Sequence, residues 1–305
     1  MHLIELLLPD FSLILAGYLL CRHTALNRPV WLAVEQLVYY FLFPIFLFQS
    51  IVRTPLDLHT ASTLVGAGLA LTASGIALAY ALPHLPGLRG RFDPREHAAC
   101  AQVAFRFNSF IGLAMAERVA GPAGLQMIAV LIGVCVPLAN IGAVWPMARH
   151  GERSFARELV RNPLILATML GLLANGLGLV PPAWLGTTLQ RIGSTSIALG
   201  LMAAGAGMQM RSVADNKALG AGVLGIRHLL LPAVAWLLAR AFGLGAVETT
   251  ALVIFAALPT SSSCYVLAAR MGYNGAYVAG LVTLSTVLGA LSLPWALAVF
   301  APSLP

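Results

Sequence analysis

Charge is what this sequence has least of. Only 10% of its 305 residues are Asp, Glu, Lys or Arg, against about a quarter in an ordinary soluble domain. With 59% hydrophobic residues and a mean hydropathy of +0.86, the chain cannot cover itself for water, which excludes a soluble globular protein. It has one lysine, Lys217, followed by Ala218, so there is no phosphate-cradling GK[ST] loop and no built-in ATP motor. No HExxH metal motif and no GxSxG nucleophile elbow occurs, and no cofactor or metal site is expected. The four cysteines, Cys21, Cys100, Cys135 and Cys264, are far apart and lack metal-type spacing. They read as small apolar fillers. The seven histidines are scattered. The net charge of +7 comes from 18 basic residues, all but one of them arginine, against 11 acidic ones. No basic stripe with interleaved aromatics accompanies it, so nucleic acid is not expected. The N-terminal apolar stretch has neither a charged leader nor a cleavage site and reads as a retained first helix.

What the chain has instead is long apolar runs. A helix needs about 20 apolar residues to cross a bilayer. Ten runs qualify, over roughly 2–21, 31–53, 60–82, 96–119, 122–148, 160–180, 183–208, 217–242, 247–271 and 274–301. Pro29, Pro83, Pro94, Pro122 and Pro181-Pro182 punctuate the connections, where a missing N–H costs little. The basic residues then set the orientation. Connections after runs 1, 3, 5, 7 and 9 hold twelve Lys or Arg, including Arg149, Arg153, Arg157 and Arg161; those on the other side hold Arg53, Arg118 and Arg240. Basic short loops stay in the cytoplasm, so both termini are expected outside. The predicted organisation is a first half over 1–148, a basic cytoplasmic linker over 149–160, and a second half over 161–305. Five runs per half is an odd number, so the second half enters the membrane inverted.

Two of the runs are interrupted by polar residues: Arg106-Phe107-Asn108-Ser109 in the fourth and Pro259-Thr260-Ser261-Ser262-Ser263 in the ninth. Phe107–Gly121 aligns with Leu258–Gly272 at an offset of 151. Irregular backbone at membrane depth is tolerated only where protein or a water-filled cavity satisfies it. Paired interruptions in two inverted halves mark a midplane binding site in a transporter. Each second half-helix would begin there with free N–H groups and the positive end of its dipole, which favours an anion. Asn108 can donate and accept. Ser109, Thr260, Ser261, Ser262 and Ser263 offer hydroxyls that bind a ligand or satisfy the loosened backbone. The plain alternative is that these residues cap and kink a packed helix.

Arg106 sits next to the first break. One reading has it clamp a carboxylate with its fork; the other has it in a structural ion pair or snorkelling along its stem. Arg227-His228 invites the same readings, with structural pairing favoured. Asp10, just after Pro9, is a proton-binding carboxylate, a counter-ion, or a helix-end residue if the first helix starts late. Glu35 and Gln36 fall near the cytoplasmic start of the second helix. Ala203-Ala204-Gly205-Ala206-Gly207 permits close helix approach, either within the protomer or between copies.

The stretches LLLPDFSLILAGYLLCR, LVYYFLFPIFLFQSIVR, FRFNSFIGLAMA, RNPLILATMLGLLANGLGL and LPTSSSCYVLAARMG together resemble the auxin efflux carrier family in its compact bacterial form. The resemblance covers nearly the whole chain. It implies an all-α fold of ten transmembrane helices in two inverted five-helix repeats, of the bile-acid-transporter and sodium-proton-antiporter kind. Helices four and nine would cross at the middle. It further implies a scaffold of helices 1, 2, 6 and 7, a mobile transport domain of helices 3–5 and 8–10, and a homodimer formed through the scaffold in the bacterial inner membrane. The family's crossover asparagine corresponds to Asn108 and its helix-nine proline to Pro259. This chain departs from the family at Ser109, where many relatives soon carry proline, and at Ser196-Ile197-Ala198 in the seventh run.

The expected function is secondary transport of small organic anions, carboxylates such as malate or malonate or auxin-like acids, by elevator-type alternating access. Asn108, Thr260 and the serine run would bind the carboxylate, Arg106 would add positive charge, and Tyr39, Tyr40, Pro44 and Phe48 would form the scaffold wall. Proton coupling through Asp10, sodium coupling and uniport are equally compatible. A channel is one rival. The other is a membrane enzyme, for which His228 with the serines of the ninth run is the one candidate constellation.

Overall fold

The computed structural model describes residues 2–53, 58–148, 163–179, 181–208, 216–261 and 263–302. Every regular element among them is helical, and they contain no strand. The expected basic linker, with Arg149, Arg153, Arg157 and Arg161, lies outside the described residues, as does Ser262. The first half comprises α1 (His2–His23), α2 (Arg28–Leu37), a π turn (Val38–Leu42), α3 (Phe43–Arg53), α4 (Leu58–Ala81), α5 (Pro94–Phe105) and α6 (Ser109–Ala148). The second comprises α7 (Pro163–Gly176), α8 (Ala183–Ala206), α9 (Lys217–Gly225), a second π turn (Ile226–Leu230), α10 (Leu231–Ala241), α11 (Ala246–Ala257), α12 (Ser263–Arg270) and α13 (Gly275–Phe300). Among the described residues five stretches are long and apolar enough to cross a membrane: Arg28–Phe46, Ser62–His84, Pro94–Met147, Lys217–Ala241 and Gly275–Phe300.

Local chemistry explains where these helices stop. Asp93 caps α5 by accepting the Arg95 N–H at 2.7 Å, with Pro94 in the first helical position. Helix α6 is two segments that fold back on each other at a kink, because Gly121 sits at φ 61°, ψ −156°, a conformation that suits glycine, and Pro122 follows; a Cβ on Gly112 of the first segment would lie 3.8 Å from Ile128 Cγ1 of the second. Helix α11 ends at Ala257. Leu258 precedes Pro259 and is therefore pushed out of the helical region, to φ −56°, ψ 142°. At the second π turn the Leu231 N–H reaches back five residues to the Ile226 carbonyl.

Packing divides the helices into two sets. In one, α1 lies along α8, and α3 lies along α7 and α8. In the other, α4, α5, α6 and α9 to α13 pack on one another. The small-residue motif on α8 serves packing within the protomer. A Cβ on Gly205 would fall 1.8 Å from the Ile14 carbonyl oxygen, and one on Gly17 of α1 1.9 Å from that of Met202. Backbones this close exclude any side chain at these two positions.

Candidate functional site

The interruptions of the fourth and ninth runs meet. Backbone hydrogen bonding joins them, the Asn108 N–H donating to the Pro259 carbonyl at 2.8 Å. Gly289 of α13 backs this point, since a Cβ there would lie 2.4 Å from Pro259 Cγ. Helices α5 and α11 are both 12 residues long and are related by 152 positions at each end (246 minus 94, 257 minus 105). The closing glycines Gly121 and Gly272, both at positive φ, are 151 apart. The entering half-helices thus match one residue away from the offset that the closing glycines share.

Asn108 is 4% exposed. Its Oδ1 accepts the N–H groups of Phe110 at 3.0 Å and Ile111 at 3.3 Å, which makes it the N-cap of α6. Thr260 is fully buried. Its hydroxyl donates to the Val103 carbonyl at 2.7 Å, and its N–H donates to the Ser285 hydroxyl at 3.0 Å. Ser261 accepts the Ser263 N–H at 3.3 Å and contacts the Ser263 hydroxyl at 2.8 Å, so it caps α12. Ser109 is half-buried at the start of α6. The half-helix starts are therefore largely served by the protein's own side chains.

Arg106 is half-buried at the mouth of the crossing. Its guanidinium donates to Gln102 Oε1 at 2.9 Å and to the Ser263 hydroxyl at 3.0 Å. Gln102, fully buried, extends the tie by donating to the carbonyls of Ala99 at 3.0 Å and Cys264 at 3.2 Å. The last turn of α5 is thus bonded to the second break at Thr260, Ser263 and Cys264.

Arg227 is 1% exposed on the second π turn. It donates to the carbonyls of Leu258 and, at 3.1 Å, Phe255. A cation here satisfies the orphan acceptors at the C-terminus of α11 and lies at the negative end of its dipole. The pairing is structural, and its partner is a helix end. His228, 4% exposed, contacts the hydroxyls of Ser285 at 2.9 Å and Ser292 at 2.7 Å, both on α13. Its described partners are therefore not the serines of the ninth run. His228 and Ser292 line a groove of about 900 Å³ between α9 and α13, together with Leu224, Leu229, Leu288 and Leu291.

The remaining expected residues are more dispersed. Tyr40 is 63% exposed on the first π turn, edge-on to Tyr39 at 4.9 Å between ring centroids. Pro44 and Phe48 are half-buried on α3, which packs on α6, α7 and α8. Asp10 falls in the interior of α1 and not at a helix end; its side chain is outside the described residues. Sequence reasoning missed one cluster. Arg28 holds Glu35 at 2.8 and 3.2 Å and also donates to the Tyr265 hydroxyl, linking α2 to α12. The available signal was a carboxylate and an arginine at the start of an apolar run, seven residues apart.

Interrupted apolar helices that cross inside a bundle, with spanning stretches on either side, define a multi-pass membrane transporter. Comparison with known proteins agrees. Residues 144–297 match the family described as membrane transport protein. A protein from Methanothermobacter thermautotrophicus described as an uncharacterized transporter is 25% identical over 293 residues, covering 95% of this chain and 96% of its own length. The chain belongs to that membrane transport protein family, the family of the auxin efflux carriers.

Proposed function

We propose that this protein is a secondary carrier of small organic anions working by elevator-type alternating access. The observation that carries the reading is the bonded crossing of two interrupted helices, Asn108 to Pro259, with the half-buried Arg106 guanidinium beside it. With Asn108 and Ser261 capping the half-helices, the attraction for an anion rests on Arg106 and on the positive ends of the α6 and α12 dipoles. A carboxylate accepts a bidentate fork, and a carboxylate is the group we assign to the substrate.

The two packing sets support the division of labour. Helices α1 to α3, α7 and α8 would be the static scaffold, and α4 to α6 with α9 to α13 the moving domain. The dense bonding between the two breaks lets the site travel as one body. The reading takes all ten runs as passes in two inverted repeats, with both termini outside the cytoplasmic membrane, following the basic-residue asymmetry. Outward-facing leucines on α7, Leu166, Leu170 and Leu173, suit a scaffold-to-scaffold homodimer.

The test is uptake of radiolabelled malonate into proteoliposomes, with a thermal-shift screen of mono- and dicarboxylates alongside. Saturable uptake that Arg106→Gln lowers severalfold is expected. Flux without saturation would make the protein a channel, and a wild type stabilised by no carboxylate would remove the anion assignment.

A further inference from the structure

The crossing is held by a set of buried polar contacts whose donors and acceptors can be worked out one at a time. The carbonyl of Val103 can only accept, so the Thr260 hydroxyl, 2.7 Å away, gives it its single proton. Thr260 Oγ1 lies 3.0 Å from Ser285 Oγ; with the threonine proton spent, Ser285 is the donor in that pair. Ser285 Oγ already accepts the Thr260 N–H at 3.0 Å. Its proton now spent too, Ser285 meets His228 Nε2 at 2.9 Å as an acceptor, and Nε2 carries the hydrogen. Ser285 then donates once and accepts twice, which fills its hydrogen-bonding capacity. The bare Nδ1 of His228 accepts from the Ser292 hydroxyl at 2.7 Å.

The donors therefore run in one direction: Ser292, His228, Ser285, Thr260, Val103. The other neutral tautomer breaks this order. With the hydrogen on Nδ1, Ser285 must donate to Nε2 and loses Thr260 Oγ1 as its acceptor. A doubly protonated imidazolium would place a second buried cation directly beside Arg227, with no carboxylate among the described partners of either residue. The chain ends on a backbone carbonyl, so it holds geometry and does not pass protons onward.

We propose that His228, as the neutral imidazole protonated at Nε2, is a positioning residue for the transport site. It acts through Ser285 to fix Thr260, and thereby the register of the second break against the last turn of α5. The assignment of the tautomer stands on the contacts alone; the effect on ligand binding rests on the anion-carrier reading above.

Two measurements test it. The first is nitrogen NMR of the full-length protein labelled with ¹⁵N-histidine, near neutral pH, with the His228 resonances identified by their loss in His228→Gln. Nε2–H is expected, and an Nδ1–H tautomer or an imidazolium would overturn the chain as assigned. The second is thermal stabilisation by malonate as the probe. His228→Leu and Ser285→Ala are expected to weaken malonate binding about tenfold, the scale of one or two lost hydrogen bonds, while His228→Gln, whose amide can donate at the Nε2 position, stays within about twofold of wild type. A His228→Leu protein that binds malonate as the wild type does overturns the positioning role. Should His228→Leu not fold, the Ser285→Ala and His228→Gln pair decides alone. If the wild type gives no malonate shift, the anion reading falls, and the NMR result still decides the hydrogen-bond chain.

Discussion

The two breaks face the same physical problem and meet it with donors drawn from different places: the Thr260 hydroxyl serves the Val103 carbonyl at the first, Arg227 serves Phe255 and Leu258 at the second, and an arginine stands beside each. At each, a half-helix ends inside the helix bundle and leaves carbonyls that need donors. At the first break the arginine is local: Arg106 follows directly on α5. At the second, the position 152 residues later is Leu258, and the arginine comes from another helix, as Arg227 reaches across from the π turn. The consequence is a division of roles. Arg227 is consumed by the carbonyls of Phe255 and Leu258 and is sealed from solvent. Arg106 is half-buried, and its described hydrogen-bond partners include the neutral side chains of Gln102 and Ser263, which leave its charge in place at the crossing. The same side chain serves as a structural cap in one half and as the candidate ligand clamp in the other. A pseudo-symmetric pair of breaks can be functionally unequal.

The largest expected effect is on the sealed side. Replacing Arg227 by Met strands two buried carbonyls, at about 1–3 kcal/mol each, so a loss of several kcal/mol is expected in thermal unfolding of the detergent-solubilised protein. Arg227→Lys should recover part of it, because one ammonium cannot span two carbonyls as a planar fork does. A loss below about 1 kcal/mol for Arg227→Met would mean the helix end finds other donors and the comparison fails. The first break should respond more mildly. Asn108→Ala removes an N-cap worth about 1 kcal/mol, while the backbone bond to Pro259 survives. Asn108→Asp keeps the acceptor and should melt close to the wild type; equal damage from both would show that the cap is not what Asn108 supplies.

Arg106→Gln should sharpen the contrast most cleanly. Its stability cost is expected within about 0.5 kcal/mol, as for partly exposed sites, yet stabilisation by carboxylates should largely vanish. An unchanged carboxylate response would return Arg106 to a purely structural role. The smallest effect concerns Ser196 of α8, fully buried, whose hydroxyl has no partner among the described residues. Ser196→Ala removes an unsatisfied polar group and should be neutral or stabilising by up to about 1 kcal/mol. A clear destabilisation would reveal a hydrogen bond that the described residues do not account for.

Much of the plan could be read along the chain because the relevant physics is local. The apolar runs follow from length and hydropathy. Asn108 and Pro259 announce the breaks, one by competing for backbone N–H groups and the other by lacking one. The offset of 151 read along the chain pairs Gly121 with Gly272, both at positive φ, while the helices entering the breaks pair at 152. Ala203 to Gly207 could be read as a close-contact stripe, but its partner, α1, could not. The fate of Thr260 shows the limit most plainly: its sequence neighbours suggest a serine-rich ligand site, and its actual contacts are Val103 and Ser285.

The sequence by itself determined that this is a membrane protein, where its helices run, and where two of them fail. Those outcomes depend on hydropathy, proline and capping, whose effects reach only a few residues along the chain. The tertiary structure alone decided which polar groups are spent and which remain. Arg227 closes the end of α11, Arg28 and Glu35 meet Tyr265 of α12, and His228 serves Ser285 because segments distant in sequence are brought within 3.2 Å. Inside a bilayer every buried donor must find an acceptor within the protein, and that matching is settled only when the helices have packed.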